Sequence, residues 1–162
     1  MIIHSRIDFR LIHGQVMTKW IKRLDINRIV TVDDGVAADD FLKEVFMMAA
    51  PKGVRVEIVS TEDAAKMQQE GGLEKDRCLM LFKTVPGLDK ALKCGLKLAE
   101  VQVGGLGGGP GRRAVHNAIT LDEKDAQTLK EIQDSGVRIY FQTTPDYAAE
   151  ELDEVLAKFN RG

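Results

Sequence analysis

The chain has 162 residues, 30% of them charged, and a formal net charge of −2. That is enough for one well-buried domain spanning residues 1–162 and too little for two ordinary ones. Near-balanced charge argues against a nucleic-acid partner and against a disordered acidic chain. No apolar run approaches a membrane span, and the first residues lack the regions of a signal peptide, so a cytoplasmic location is expected.

The first segment is extended and apolar. It breaks off in Arg6-Ile7-Asp8-Phe9-Arg10-Leu11-Ile12-His13-Gly14-Gln15-Val16 and turns into a helix. From Gly14 onward Val16, Met17, Trp20, Ile21 and Leu24 share one helical face, opposite Thr18, Lys19, Lys22 and Arg23. His13 therefore stands at a helix N-terminus, where the free N–H groups of Gly14 and Gln15 and the positive end of the helix dipole suit an anion. Arg10 and Arg6 are close enough in sequence to add guanidinium groups to a phosphate held there. Asp8 either fixes the tautomer of His13 or pairs with one of the two arginines.

Downstream, Arg28–Val32 reads as a strand ending in the turn signal Asp33-Asp34-Gly35. A helix is expected from about Ala38 to Ala50, buried over most of its circumference through Phe41, Leu42, Val45, Phe46 and Met48, and stopped by Pro51 and Gly53. Val54–Val59 alternates as a strand, and Ser60-Thr61-Glu62-Asp63 opens another helix, closed by Gly71-Gly72. Cys78–Phe82 is apolar throughout, as suits a strand covered on both faces. Pro86–Leu92 reads as a helix and Lys97–Val103 as a strand. Thr120-Leu121-Asp122-Glu123 forms a capping box for a helix with Ala126, Leu129 and Ile132 on its buried side, which Gly136 ends. A strand over Val137–Phe141 follows. Thr143-Thr144-Pro145-Asp146 then leads into a last helix with the stripe Ala148, Leu152, Val155, Leu156 and Phe159.

Alternating strands and helices predict an α/β fold: a single open, mostly parallel β-sheet with helices on both faces. The functional crevice of such a sheet lies beyond the carboxyl ends of its strands, which is where His13 falls.

The glycine-rich stretch Gly104-Gly105-Leu106-Gly107-Gly108-Gly109-Pro110-Gly111-Arg112-Arg113 has neither dinucleotide-binding nor P-loop spacing. It reads as a mobile rim loop, able to cover His13 and to bring Arg112 to a phosphoryl group or a partner; a plain surface loop is the other reading. Cys78 and Cys94 are too few and too separated for a disulfide framework or a zinc site. His4 reads as a packed strand histidine, and His116 as a surface histidine near the loop. No metal ligand set emerges.

The Arg6–Val16 stretch resembles the N-terminal signature of the IIB components of the mannose, fructose and sorbose family of the bacterial phosphoenolpyruvate-dependent sugar phosphotransferase system (PTS). Val32–Asp39, Leu79–Phe82 and Val101-Gln102-Val103-Gly104-Gly105 extend the likeness along the whole chain. The resemblance implies a phosphocarrier and transferase subunit without a cofactor, in which phosphorylated IIA donates to His13 and the group passes to a sugar held by the membrane IIC and IID subunits. It also implies peripheral membrane association through IIC and IID; a homodimer stays open. His13, Arg10 and Asp8 are then the catalytic residues, and Arg6, Gly14, Gln15 and Arg112 the phosphate-binding ones. Phe9 stands where the family commonly has aspartate, and Gly108 and Gly109 where it has an aromatic and a basic residue. These departures keep a regulatory IIB protein without sugar transport open, beside a nucleotide or small-anion binding module.

Overall fold

The computed structural model describes residues 1–162, except the side chain of Gln15. Among the described residues no helix is long and apolar enough to cross a membrane.

The elements are β1 (Ile2–Asp8), α1 (Gly14–Leu24), β2 (Arg28–Val32), α2 (Asp34–Ala37), α3 (Asp40–Met48), β3 (Arg55–Val59), α4 (Thr61–Gln69), β4 (Cys78–Phe82), α5 (Val85–Lys93), β5 (Glu100–Gly105), β6 (Arg113–His116), β7 (Ile119–Leu121), α6 (Glu123–Asp134), β8 (Arg138–Phe141), β9 (Glu150–Glu151) and α7 (Leu152–Arg161). Seven strands form one sheet in the order β3-β2-β4-β1-β5-β8-β9, and β6 pairs antiparallel with β7 in a small hairpin. Only β9 runs antiparallel in the main sheet, against β8. β2 and β4 are buried at every position, which explains their unbroken apolar character.

Two apolar layers cover the sheet. Ala64, Leu88, Leu129 and Phe159, from α4 to α7, pack on one face, and Met17, Ile21 and Val36, from α1 and α2, on the other. The chain leaves β1 for the second face and β4 for the first. The central strands thereby part their connections, opening a crevice at their carboxyl ends.

Several expectations need correction. The helix expected from about Ala38 to Ala50 is α3, Asp40–Met48, whereas the expected turn at Asp33-Asp34-Gly35 opens a further short helix, α2; each is capped by an aspartate, Asp33 accepting from the Val36 N–H and Asp39 from the Leu42 N–H. α3 buries no residue; Phe41 is 72% exposed and Met48 86%. The expected capping box before α6 is also misplaced by two residues, since Asp122 caps by accepting from the Asp125 N–H. Ala148 lies outside α7, which begins only after β9. The loop is shorter than expected: Gly104 and Gly105 complete β5 and Arg113 opens β6, leaving residues 107–112 as the connection.

Candidate active site

Asp8, the last residue of β1, is fully buried. A buried carboxylate must be paired, and this one is paired twice. Arg6 Nη2 donates to its Oδ2 at 3.1 Å. Arg10 reaches back around the turn to make a two-point contact, Nε to Oδ1 at 3.0 Å and Nη2 to Oδ2 at 3.2 Å, while its backbone N–H donates to Oδ1 at 3.1 Å. The turn is closed by the Leu11 N–H donating to the Asp8 carbonyl at 3.0 Å. Leu11 takes a left-handed φ of 57°, a costly conformation for a branched side chain, and its complete burial holds it there.

This turn delivers His13 to the N-cap of α1. Its φ of −153° and ψ of 137° are extended, and its side chain makes no capping bond. The first-turn amides of Gly14 and Gln15 thus stand at an uncapped helix N-terminus, as an anion site requires. The imidazole Nδ1 lies 2.8 Å from the Leu11 carbonyl, which can only accept, so Nδ1 carries hydrogen in this arrangement. Nε2 is shielded, has no hydrogen-bond partner among the described residues, and faces Asp8 Oδ2 at 3.8 Å. The ring is half-buried, with 21% of its side chain exposed, so it is less open than the sequence suggested.

Arg10 has its guanidinium carbon 5.4 Å from the Phe9 ring centre and a side chain 32% exposed. Its Nη1 has no acceptor among the described residues. One edge of the group therefore holds Asp8 while the other is free for an incoming oxygen.

Arg6, expected to reach a bound phosphate, turns inward instead. It is fully buried, and its guanidinium donates to Asp8, to Gln102 Oε1, and to the Gln142 and Thr143 carbonyls. Gly104 makes room for it, because a β-carbon there would occupy the space of the guanidinium. Gly105 does the same for Asp8 and Arg10, whose atoms lie 2.8 and 2.9 Å from where its β-carbon would stand. The Val-Gly-Gly sequence at the end of β5 is thus a slot for the buried charges of β1. Gln102, which the sequence reading did not single out, bridges Arg6 to His4 Nε2 at 2.9 Å. His4 is buried as expected and stacks on Trp20 of α1, and burial lowers its pKa.

Arg112 is committed elsewhere. It donates to Thr120, to Asp122 at 3.1 Å and to Asp125 at 3.1 Å, tying the chain after the glycines to the start of α6. His116 is no surface histidine: its side chain is 6% exposed and Nδ1 lies 2.7 Å from Glu150 Oε1. Cys78 is buried in β4, and burial pushes its thiol up.

Comparison with known families matches residues 2–161 to the model described as "PTS system sorbose subfamily IIB component". The chain is 30% identical to the mannose-specific EIIAB component of Escherichia coli K12 over 97% of its own length, and spans about half, 49%, of that protein. It is also 30% identical to the fructose-specific EIIB component of Bacillus subtilis, covering 96% of this chain and 95% of the relative. Among solved structures, manxB of Thermoanaerobacter tengcongensis superposes with a TM-score of 0.91 at 34% identity, covering 98% of this chain and 96% of the other.

Proposed function

The chain belongs to the sorbose subfamily of IIB components of the sugar phosphotransferase system, and on that premise we propose that His13 accepts a phosphoryl group from a phosphorylated IIA protein and passes it to a sugar. The membrane IIC and IID subunits hold that sugar, and the chain works at the cytoplasmic side of the membrane against them. The observation that carries this reading is the junction of β1 and α1. There His13 stands at the uncapped N-terminus of α1, and its imidazole and the Arg10 guanidinium converge on the same Asp8 carboxylate, at 3.8 and 3.0 Å.

In the forward step a lone pair of the His13 imidazole attacks phosphorus while the donor's nitrogen–phosphorus bond breaks and returns its pair to the donor. The neutral ring is the nucleophile. Arg10 stabilises the equatorial oxygens together with the amides of Gly14 and Gln15, and Asp8 aims Arg10. Phosphorylation at Nδ1 requires the ring to release the Leu11 carbonyl and to shift its single proton from Nδ1 to Nε2, which frees the Nδ1 lone pair for attack. The Asp8 carboxylate, 3.8 Å from Nε2, favours the proton there. Transfer onward breaks the new bond as the sugar hydroxyl oxygen attacks and gives up its proton.

The test is mass spectrometry after incubation with phosphoenolpyruvate, the general phosphotransferase proteins and a IIA protein. One added phosphate located on His13, and none on the His13→Ala variant, is expected. Phosphate retained by His13→Ala rejects the reading.

A further inference from the structure

Beside the turn that carries Arg10 lies an open hollow of about 520 Å³, at the carboxyl ends of β4 and β5. Phe9, Val85, Pro86 and Leu106 give it apolar walls, and Lys83 and Lys124 stand on its rim. Asp122 and Asp125, also on its wall, are both taken up by Arg112. Neither lysine has a carboxylate within ion-pair reach among the described residues, and with Arg112 set against the two aspartates the charged lining of the hollow is net positive by one around an apolar floor.

We propose that this hollow anchors the phosphoryl donor: an apolar side chain of the donor protein fills it, and carboxylates flanking that side chain meet Lys83 and Lys124. The proposal rests on the reading of His13 as phosphoryl acceptor. Its support is position. A protein contact of ordinary size covers about 800 Å² on each partner, a disc roughly 16 Å in radius. Phe9 adjoins Asp8 in sequence, and its ring lies under the Arg10 guanidinium. A protein that brings its own phosphohistidine to His13 therefore covers the hollow as well. Binding energy concentrates where an anchor fills a pocket, while rim charges set the encounter rate and its salt dependence.

The experiment measures initial rates of phosphorylation against phospho-IIA concentration at low and high salt. It compares the wild type, the single Lys83→Glu and Lys124→Glu variants, the Lys83→Glu/Lys124→Glu double variant, and Lys75→Glu, in the segment before β4, as a control equal in charge change to each single variant. The double variant should raise KM for phospho-IIA about tenfold at low salt, flatten its salt dependence, and leave kcat within about twofold, with Lys75→Glu matching the wild type. An unchanged KM in the double variant, or a rise in Lys75→Glu equal to that in the single variants, overturns the proposal while a phosphorylated wild type leaves the phosphocarrier reading standing. A wild-type chain that takes up no phosphate overturns that reading and the anchor with it.

Discussion

The guanidinium of Arg6 occupies the space that a side chain on Gly104 would need. A cation of one central strand is thus seated in the missing side chain of its neighbour, and Asp8 above it is held by that cation from below and by Arg10 from outside. The orientation of the Arg10 guanidinium depends on a charge buried two residues earlier.

Gly104→Ala should therefore cost more than about 3 kcal/mol, since the added methyl displaces a buried charge from Asp8, Gln102 and the Gln142 and Thr143 carbonyls, and Arg10 replaces it only at Asp8. Urea denaturation monitored by circular dichroism checks this. A loss under about 1 kcal/mol would mean that Arg6 has another place to go.

Arg10→Ala should leave the fold standing, because Arg6 still compensates Asp8. Phosphoryl transfer should slow by about 10²–10³-fold in both directions, the range seen when one oxyanion donor is lost. Rapid-quench single turnover from phospho-IIA reads this without interference from the partner's own chemistry. A rate within a factor of three of the wild type removes Arg10 from the transfer step.

Much of this arrangement was legible beforehand. The periodicity of α1, the strand body of Cys78–Phe82 and the strand-to-helix placement of His13 follow from local pattern, and each lies where the pattern put it. What escaped depends on contacts between distant segments. Arg6 reads as a phosphate-binding cation until β1 is registered beside β5, bringing Arg6 opposite Gln102. The β6–β7 hairpin carries no glycine turn signal, since Ala118 itself takes the left-handed φ of 61°. α3 misled for the opposite reason. Apolar residues around most of a helix describe a buried helix and an exposed apolar one equally well, and only its packing at the sheet edge decides.

That outcome gives a further expectation. Phe41→Ser and Met48→Ser should each change unfolding free energy by no more than about 0.5 kcal/mol, because both side chains already meet solvent in the folded chain. A core position of similar apolar character, Leu129→Ala, should cost about 2–5 kcal/mol. Thermal and urea unfolding of the three variants side by side separates the two environments. A core-sized loss at Phe41 would contradict its exposure.

Stability should also fall as pH drops from about 7 toward 5, with His4 as a source. Burial lowers its pKa below the ordinary 6.5, opposed by its hydrogen bond to Gln102, with the nearby Arg6 charge lowering it further. Below 6.5 the unfolded chain takes up a proton at this residue while the folded chain resists, so the unfolded state binds more protons and stability rises with pH across that window. Above it both states are neutral and the contribution is flat. A His4→Gln variant keeps a polar group beside Gln102 but does not titrate, so its unfolding free energy should fall less between pH 7 and 5 than that of the wild type. Equal slopes for the two proteins in that range would assign the acid sensitivity to other groups.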